Sequence, residues 1–433
     1  MGKKPSLALL RPSQYFLGEP QSQPALGIMY LAAQIRKHGY ETTIYDFSAC
    51  ERDKYDLSKV EEYDIYGVTA TYLDYDTSEF LCRQIKLKYP NAKCIIGGMI
   101  MNNMEYHANR EVFDTTFVND SEWTILDYLK DVETGIPKKT YVGRVNKTLD
   151  DIPFPARDLI QVQGSESIFY KKKSYYPGGT TSMIMSRGCV GQCNFCSEKF
   201  NVNFKLRFRS PENIKAEIEE CIKNHGIHQM RMQDDDISMA KPFITKVLPM
   251  LKSLPIAYRV SCRVDKVTPD FFKQLVESNC KEIGFGLESG DDETLKTLGK
   301  FTTAEQNYNA CKWAKEAGLI VRGFMMFGVP GENKDNLKRT YDFLTNVKPY
   351  VDLMTVCYLV PFPDSDFFRN PEKFNIEIRH KEFAKYMMTY SGDGFSEPSV
   401  RLLNVSWDEQ LENKRMTEKF LRENFYINTG VNA

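Results

Sequence analysis

The chain has 433 residues, 42% of them hydrophobic, with 57 Lys+Arg against 58 Asp+Glu and a formal net charge of -1. That length supports two or three domains with substantial cores, and the charge balance argues against bulk binding to nucleic acid or to an anionic membrane surface. Eleven cysteines, eight of them scattered singly, argue for a reducing compartment and against a disulfide framework. No apolar run has membrane length and no stretch reads as a signal peptide, so the expectation is a cytoplasmic protein with no membrane partner.

The first third alternates strands and helices. Leu7–Leu10 reads as a buried strand, and Gly27–His38 has helical periodicity that stops at Gly39. Thr42–Tyr45 and Ile65–Thr69 read as strands, followed by a helix over Thr77–Lys88. Cys94–Ile96 leads into Gly97-Gly98, and Thr116–Val118 precedes a helix over Trp123–Lys130. This order predicts a Rossmann-like, doubly wound parallel sheet over residues 1–140, with its ligand crevice at the carboxyl ends of the strands. A GxGxxG fingerprint is absent, which leaves ordinary dinucleotide binding unsupported. Residues 141–179, with Pro153, Pro155, Pro177, Gly178 and Gly179, read as a linker. Lys171-Lys-Lys173 within it reads as a solvated loop.

A second α/β series runs over residues 180–365. Its predicted strands are Ser182–Met185, Gln229–Met232, Tyr258–Cys262, Glu282–Leu287, Ile320–Phe327 and Leu353–Leu359. Pro211 and Pro269 suit first helical turns, and Gly226 and Gly318 suit helix ends. Six units are too few for a closed eight-fold barrel, so an open, partial (β/α)6 barrel is expected, with reacting groups at the carboxyl ends of its strands. Residues 366–433 are more polar and predicted helical, most clearly over Trp407–Glu423.

The strand ends carry the chemistry. Cys189, Cys193 and Cys196 form a C-x3-C-x2-C loop directly after the first barrel strand. Three thiolates on one loop can hold three irons of a cubane cluster and leave the fourth open, whereas a zinc site needs a fourth ligand at ordinary spacing. The other strands end in Gln233-Asp-Asp-Asp236, in Ser261 and Arg263, in Glu288-Ser289-Gly290, and in Gly328-Val-Pro-Gly-Glu332. Carboxylates can hold an ammonium, and arginine with serine can hold a carboxylate, so the set suits a zwitterionic ligand. Each residue has a plainer alternative: the acids as a turn or a divalent-cation site, Glu288 and Arg263 as ion pairs, the glycines as turn formers.

The cysteine loop, Arg209-Ser-Pro-Glu-Asn213, Asp234-Asp235, Gly286-Leu-Glu-Ser-Gly290 and Gly328-Val-Pro-Gly-Glu332 together resemble the radical S-adenosylmethionine enzymes. The resemblance implies a [4Fe-4S] cluster on Cys189, Cys193 and Cys196. It implies S-adenosyl-L-methionine on the open iron, cleaved reductively to a 5′-deoxyadenosyl radical. It places Asp234 and Asp235 near the ammonium, Ser261 and Arg263 near the carboxylate, Glu288 and Ser289 near the ribose or carboxylate, and the Phe195 backbone at the adenine. The first third resembles the cobalamin-binding domain of one branch of that family, through Pro24–Ala33, Val68–Thr71 and Ile95-Ile-Gly97-Gly98, with Gly97 and Gly98 at the cofactor. Val118-Asn-Asp-Ser-Glu122 stands where the branch has G-E-G-E, Met99 stands where proline is common, and no D-x-H-x-x-G occurs. The implied activity is cobalamin-dependent methylation of an unactivated carbon or a phosphinate phosphorus of a small molecule. The alternatives are a cobalamin-free dehydratase, rearrangement or cyclisation enzyme and, in another class, an iron–sulfur or zinc regulatory protein. An electron donor such as flavodoxin or ferredoxin is the implied protein partner. Tyr358, Phe362 and Asp364 are candidates for the substrate pocket or, equally, for packing and turns.

Overall fold

A computed structural model describes residues 4–17, 20, 24–102, 111–144, 148–160, 179–197, 206–239, 241–379, 395 and 397–425. The Lys171-Lys-Lys173 loop, Pro177 and Gly178 lie outside them. The described residues divide into two compact units, one up to Ile160 with Gly179–Thr181, the other from Ser182 onward.

The first unit is a six-stranded sheet in the order β2-β1-β3-β4-β5-β6: β1 (Leu7–Arg11), β2 (Thr42–Asp46), β3 (Ile65–Thr69), β4 (Lys93–Gly97), β5 (Thr115–Val118) and β6 (Thr140–Val142). Every pairing is parallel. β1 is buried along its whole length, as its unbroken apolar run requires of an inner parallel strand. Helices Leu26–Lys37, Tyr75–Lys88 and Thr124–Glu133 connect the strands. The first of them ends at Gly39, whose φ of +76° no β-carbon opposes. Leu7, Leu9, Met29, Ile35, Ile65 and Ile95 centre the core. β6 is an addition to the predicted strands. It is three residues long and begins where the linker was expected, and it pairs with β5 through Phe117 opposite Tyr141.

The strand order reverses between β1 and β3, which puts the topological switch point at their carboxyl ends. A polar network ties the loops there. Arg11 reaches Asp46 at 3.2 Å and Gln14 at 2.5 Å, Gln14 donates to Asp74 at 3.0 Å, and Asp74 accepts from the Thr71 amide.

The second unit is an open half-barrel in the order β14-β13-β12-β11-β10-β7. Its strands are β7 (Thr180–Met183), β10 (Gln229–Met232), β11 (Ala257–Cys262), β12 (Cys280–Glu288), β13 (Ile320–Phe327) and β14 (Leu353–Tyr358). Two-residue strands β8 (Ser186–Arg187) and β9 (Arg207–Phe208) pair antiparallel beside β7. Local sequence sets the helix starts. Ser210 and Thr268 cap helices that open on Pro211 and Pro269, and Thr303/Gln306 and Asn333/Asn336 form capping boxes. β13 alternates half-exposed and buried residues without a break. One face packs on the helices. The half-exposed face, with Ser261 on β11, Phe324 on β13 and Cys357 on β14, lines the inside.

Two boundaries differ from expectation. β7 begins and ends two residues early, because residues 184–185 leave the sheet to start the cysteine loop. Helix Asp292–Thr297, capped by Asp291, adds an element after β12. The C-terminal segment holds the expected helix, Trp407–Asn424, and also an antiparallel pair, β15 (Ile376–Ile378) with β16 (Val400–Leu402). No described helix is long and apolar enough to cross a membrane.

Candidate active site

The cysteine loop is clamped at both ends. Asp234, just past β10, accepts from the Met185 and Ser186 amides at 3.1 and 2.6 Å and from the Ser186 hydroxyl at 2.5 Å. Arg209 donates to the Ile184 carbonyl at 2.9 Å and forms a buried ion pair with Glu217. At the far end the Asn194 amide donates to the Leu298 carbonyl at 2.8 Å, and its side chain donates to the Thr297 carbonyl at 2.9 Å. A β-carbon on Gly299 would sit 2.8 Å from the Gln192 carbonyl oxygen, so that close approach depends on glycine.

Between the clamps, Cys189, Cys193 and Cys196 are all half-buried. The Gly191 amide points at the Cys189 sulfur at 3.3 Å. A β-carbon on Gly191 would lie 3.2 Å from that sulfur and 3.9 Å from the Cys193 sulfur, so the glycine keeps the space between two thiols clear. Burial, with Asp235 and Asp236 nearby, pushes the Cys189 thiol above its ordinary range; bound iron would supply the opposing charge. Among the described residues no three His, Cys, Asp or Glu groups meet at one point as a single ion requires. A cubane asks instead for one thiolate at each of three corners.

Two cations stand behind Cys193. Arg263 Nη1 lies 3.8 Å from its sulfur, while Arg263 Nε holds Asp265 at 2.9 Å and Nη2 holds the Lys300 carbonyl at 2.6 Å. Lys300 Nζ pairs with Glu288 Oε1 at 3.0 Å, with both side chains at most 10% exposed. Burial opposes the ammonium, but Glu288 and Cys193 outweigh it and raise its pKa. A β-carbon on Gly286 would come within 2.5 Å of both charged atoms, so that glycine makes room for the ion pair.

The residues expected at the site take different settings. Ser261 faces inward, with its hydroxyl 3.4 Å from where a Gly284 β-carbon would be. Asp235 is exposed and accepts from the Gly188 amide at 3.1 Å. Phe195 packs its ring against the cluster of Leu298, Val329 and Leu359. Asp234 is buried: burial raises its pKa to about 6, and its oxygens hold the cysteine loop. Ser289 is likewise buried, bonded to Thr340 at 3.1 Å and accepting from the Asp291 amide at 3.1 Å. Arg263 reaches toward the Cys193 sulfur at 3.8 Å. Tyr358 faces the opposite side of β14 from Cys357 and packs on Phe395, and Asp364 pairs with Arg369 at 3.1 Å. The parity of the strand explains Tyr358: one residue's shift exchanges the two faces. Lys300 was missed altogether, because it lies twelve residues beyond Glu288 in a turn with no motif of its own.

In the first unit, Gly98 has φ +106°, and a β-carbon there would meet the Ala70 carbonyl oxygen at 2.4 Å. Gly98 is therefore a backbone-crossing glycine, so enlarging it would displace β3 whatever ligand is bound. Asn119 adopts φ +62°, the conformation a glycine would take, and Asn is among the residues that tolerate it.

Residues 183–344 match the family model of the radical SAM superfamily. That match falls on the half-barrel and marks it as a radical SAM domain, which makes the chain an enzyme. It is 25% identical over 362 residues to an uncharacterised methyltransferase of Pyrococcus horikoshii, covering 78% of this chain and 76% of that one. It is 24% identical over 392 residues to the cytidylyl-2-hydroxyethylphosphonate methyltransferase of Streptomyces wedmorensis, covering 75% and 73%. In structure it resembles the radical S-adenosylmethionine methyltransferase TsrM of Kitasatospora setae, solved with cobalamin and a [4Fe-4S] cluster bound. That likeness has a TM-score of 0.67 at 14% identity, over 95% of this chain and 85% of that one. The cobalamin-dependent radical enzyme OxsB gives 0.64 at 18% identity, over 99% of this chain and 63% of that one. The likeness to these two structures is one of fold, a Rossmann-like parallel sheet followed along the chain by an open parallel half-barrel.

Proposed function

We propose that Cys189, Cys193 and Cys196 ligate three irons of a [4Fe-4S] cluster, and that S-adenosylmethionine binds on the inner face of β11 and β12. We propose further that the enzyme methylates a small molecule with the help of a corrinoid at the carboxyl ends of the first unit's sheet. The observation that carries this reading is the thiol loop itself: three half-buried thiols clamped at barrel strand ends, with Arg263 and Lys300 behind Cys193. When bound, the cluster supplies the electron for reductive cleavage of S-adenosylmethionine, and a corrinoid supplies a transferable methyl group.

The chain's own residues bind and orient. Asp235 and Ser261 offer an exposed carboxylate and hydroxyl to a zwitterion on the inner wall. Glu288, fixed by Lys300, presents a held carboxylate at the end of β12. Gly286 keeps the wall open beside it. Asp234, Arg209 and Asn194 hold the thiols in place before any metal arrives, so little ordering is left to the binding step. Support for the corrinoid lies in the parallel sheet with its β1/β3 switch point, in the glycine-like backbone at Asn119, and in the relatives named as methyltransferases. An external one-electron donor of the flavodoxin or ferredoxin kind completes the scheme.

Metal analysis of anaerobically purified protein tests the reading. Four irons and one cobalt per chain are expected. Four irons without cobalt would favour a cobalamin-free radical reaction, and zinc in place of iron would overturn both.

A further inference from the structure

The inner face of the half-barrel carries a second charged cluster, at the opposite ends of the strands from the cysteine loop. Arg259, Glu282 and Arg322 lie on that face by strand parity. They stand two residues before Ser261, Gly284 and Phe324, which meet one another there. Arg259 and Glu282 are register partners, and Arg322 pairs with Gly284.

Both guanidinium groups share one carboxylate oxygen. Arg322 Nε donates to Glu282 Oε1 at 3.1 Å and Arg259 Nη1 donates to it at 3.4 Å. The Glu282 side chain is 3% exposed, that of Arg322 13% and that of Arg259 21%. Among the described residues the remaining N–H groups of Arg259 and Arg322 have no acceptor. Two cations on one anion leave a positive charge in a wall that water reaches only in part. Burial, together with Arg259, pushes the Arg322 guanidinium below its ordinary value even with Glu282 beside it. Guanidinium forks with open N–H groups bind planar or tetrahedral oxyanions through paired hydrogen bonds.

We propose that Arg259 and Arg322 form the receptor for an anionic oxygen-acid group of the substrate, whether phosphoryl, phosphonyl or carboxylate. Glu282 holds the two forks in place and leaves their outer N–H groups to the ligand. Arg259 precedes Arg263 by four residues, about 13 Å along the strand. A small molecule of that reach, anchored by its anion, presents its other end toward the cysteine loop. The inference rests on the proposed function only in placing the substrate inside the barrel, and it adds the substrate's chemical class.

The test uses full-length, anaerobically purified protein carrying its cluster. Inorganic phosphate in one arm and acetate in the other are titrated by calorimetry at constant ionic strength set with chloride. Saturable one-to-one binding of at least one anion is expected, weakened tenfold or more by Arg322→Gln and by Arg259→Gln, and kept or tightened by Glu282→Gln. Arg322→Lys, which keeps the charge and removes the fork, should also lose affinity and serves if a glutamine variant folds poorly. The arm that binds identifies the group. No saturable binding of either anion, or binding unchanged in the arginine variants, overturns the proposal. Cobalt content and turnover are not read here, so failure of the methyl-transfer reading and failure of this one are told apart.

Discussion

Lys300 is enclosed beside Cys193 with Glu288 as its carboxylate partner, and Arg263 shares its carbonyl. Positive charge near a cluster favours the reduced state, since reduction adds an electron. Lys300→Met should therefore make the cluster harder to reduce, by on the order of 60 mV, a tenfold change for a one-electron couple. Potentiometric titration followed by electron paramagnetic resonance reads this, and an unchanged midpoint would deny Lys300 that influence. The thiols divide as their places suggest. Cys193→Ala should lose most of the iron. Cys262→Ala and Cys311→Ala, at buried positions outside the loop, should keep it, as iron analysis of the three proteins would show. Glu332 gives a pH signature. It is buried, accepts from the Gly328 amide at 2.8 Å, and has its pKa raised from 4.5 to about 7, mainly by burial. Its folded value is above its unfolded one, so its contribution is fully present below pH 4.5 and is lost as pH rises through about 7, an effect on the order of 3 kcal/mol. Thermal melting of wild type should fall between pH 5 and 8 by more than that of Glu332→Gln; equal slopes would contradict the assignment. The cysteine loop was legible in the sequence because three like residues at short spacing on one loop stand out without any tertiary information. Asp234 and Asp235 were not separable, because adjacent acids past a strand end differ only in which way each side chain turns.

At the scale of elements, the turn Gly328–Glu332 closes the end of β13 over Tyr358. Gly328 has φ +69°, and a β-carbon there would lie 2.1 Å from the Tyr358 ring. Gly328→Ala should destabilise the second unit by about 3 kcal/mol or more, through strain and overpacking together. Denaturant unfolding checks this, and a variant within 1 kcal/mol of wild type would mean that the turn yields easily. The sheet and helix order was readable because apolar runs, proline starts and glycine stops agree with one another along both units. β6, β15 and β16 were not, because strands of three residues carry too few side chains for a period to show. The early exit of β7 was invisible too. It depends on Asp234, 49 residues from the Met185 amide it captures, and no local propensity encodes that contact.

At the scale of the whole molecule, each unit gathers polar side chains or thiols at the carboxyl ends of parallel strands, the position open α/β sheets give to ligands. The half-barrel supplies thiols, cations and an inner wall with arginines at its foot, while the first unit has its switch point between β1 and β3. The substrate was not legible, because strand parity and tertiary contacts, which the sequence does not display, decide which side chains face the cavity. The measurement that tests the account most directly is product analysis of the anaerobic enzyme, with a full cluster, cobalamin, a low-potential reductant and S-adenosylmethionine. The account predicts 5′-deoxyadenosine, abolished by Cys193→Ala, and S-adenosylhomocysteine up to one equivalent per cobalamin. A protein with a full cluster that forms neither product, or a Cys193→Ala protein that forms both at the wild-type rate, would contradict it.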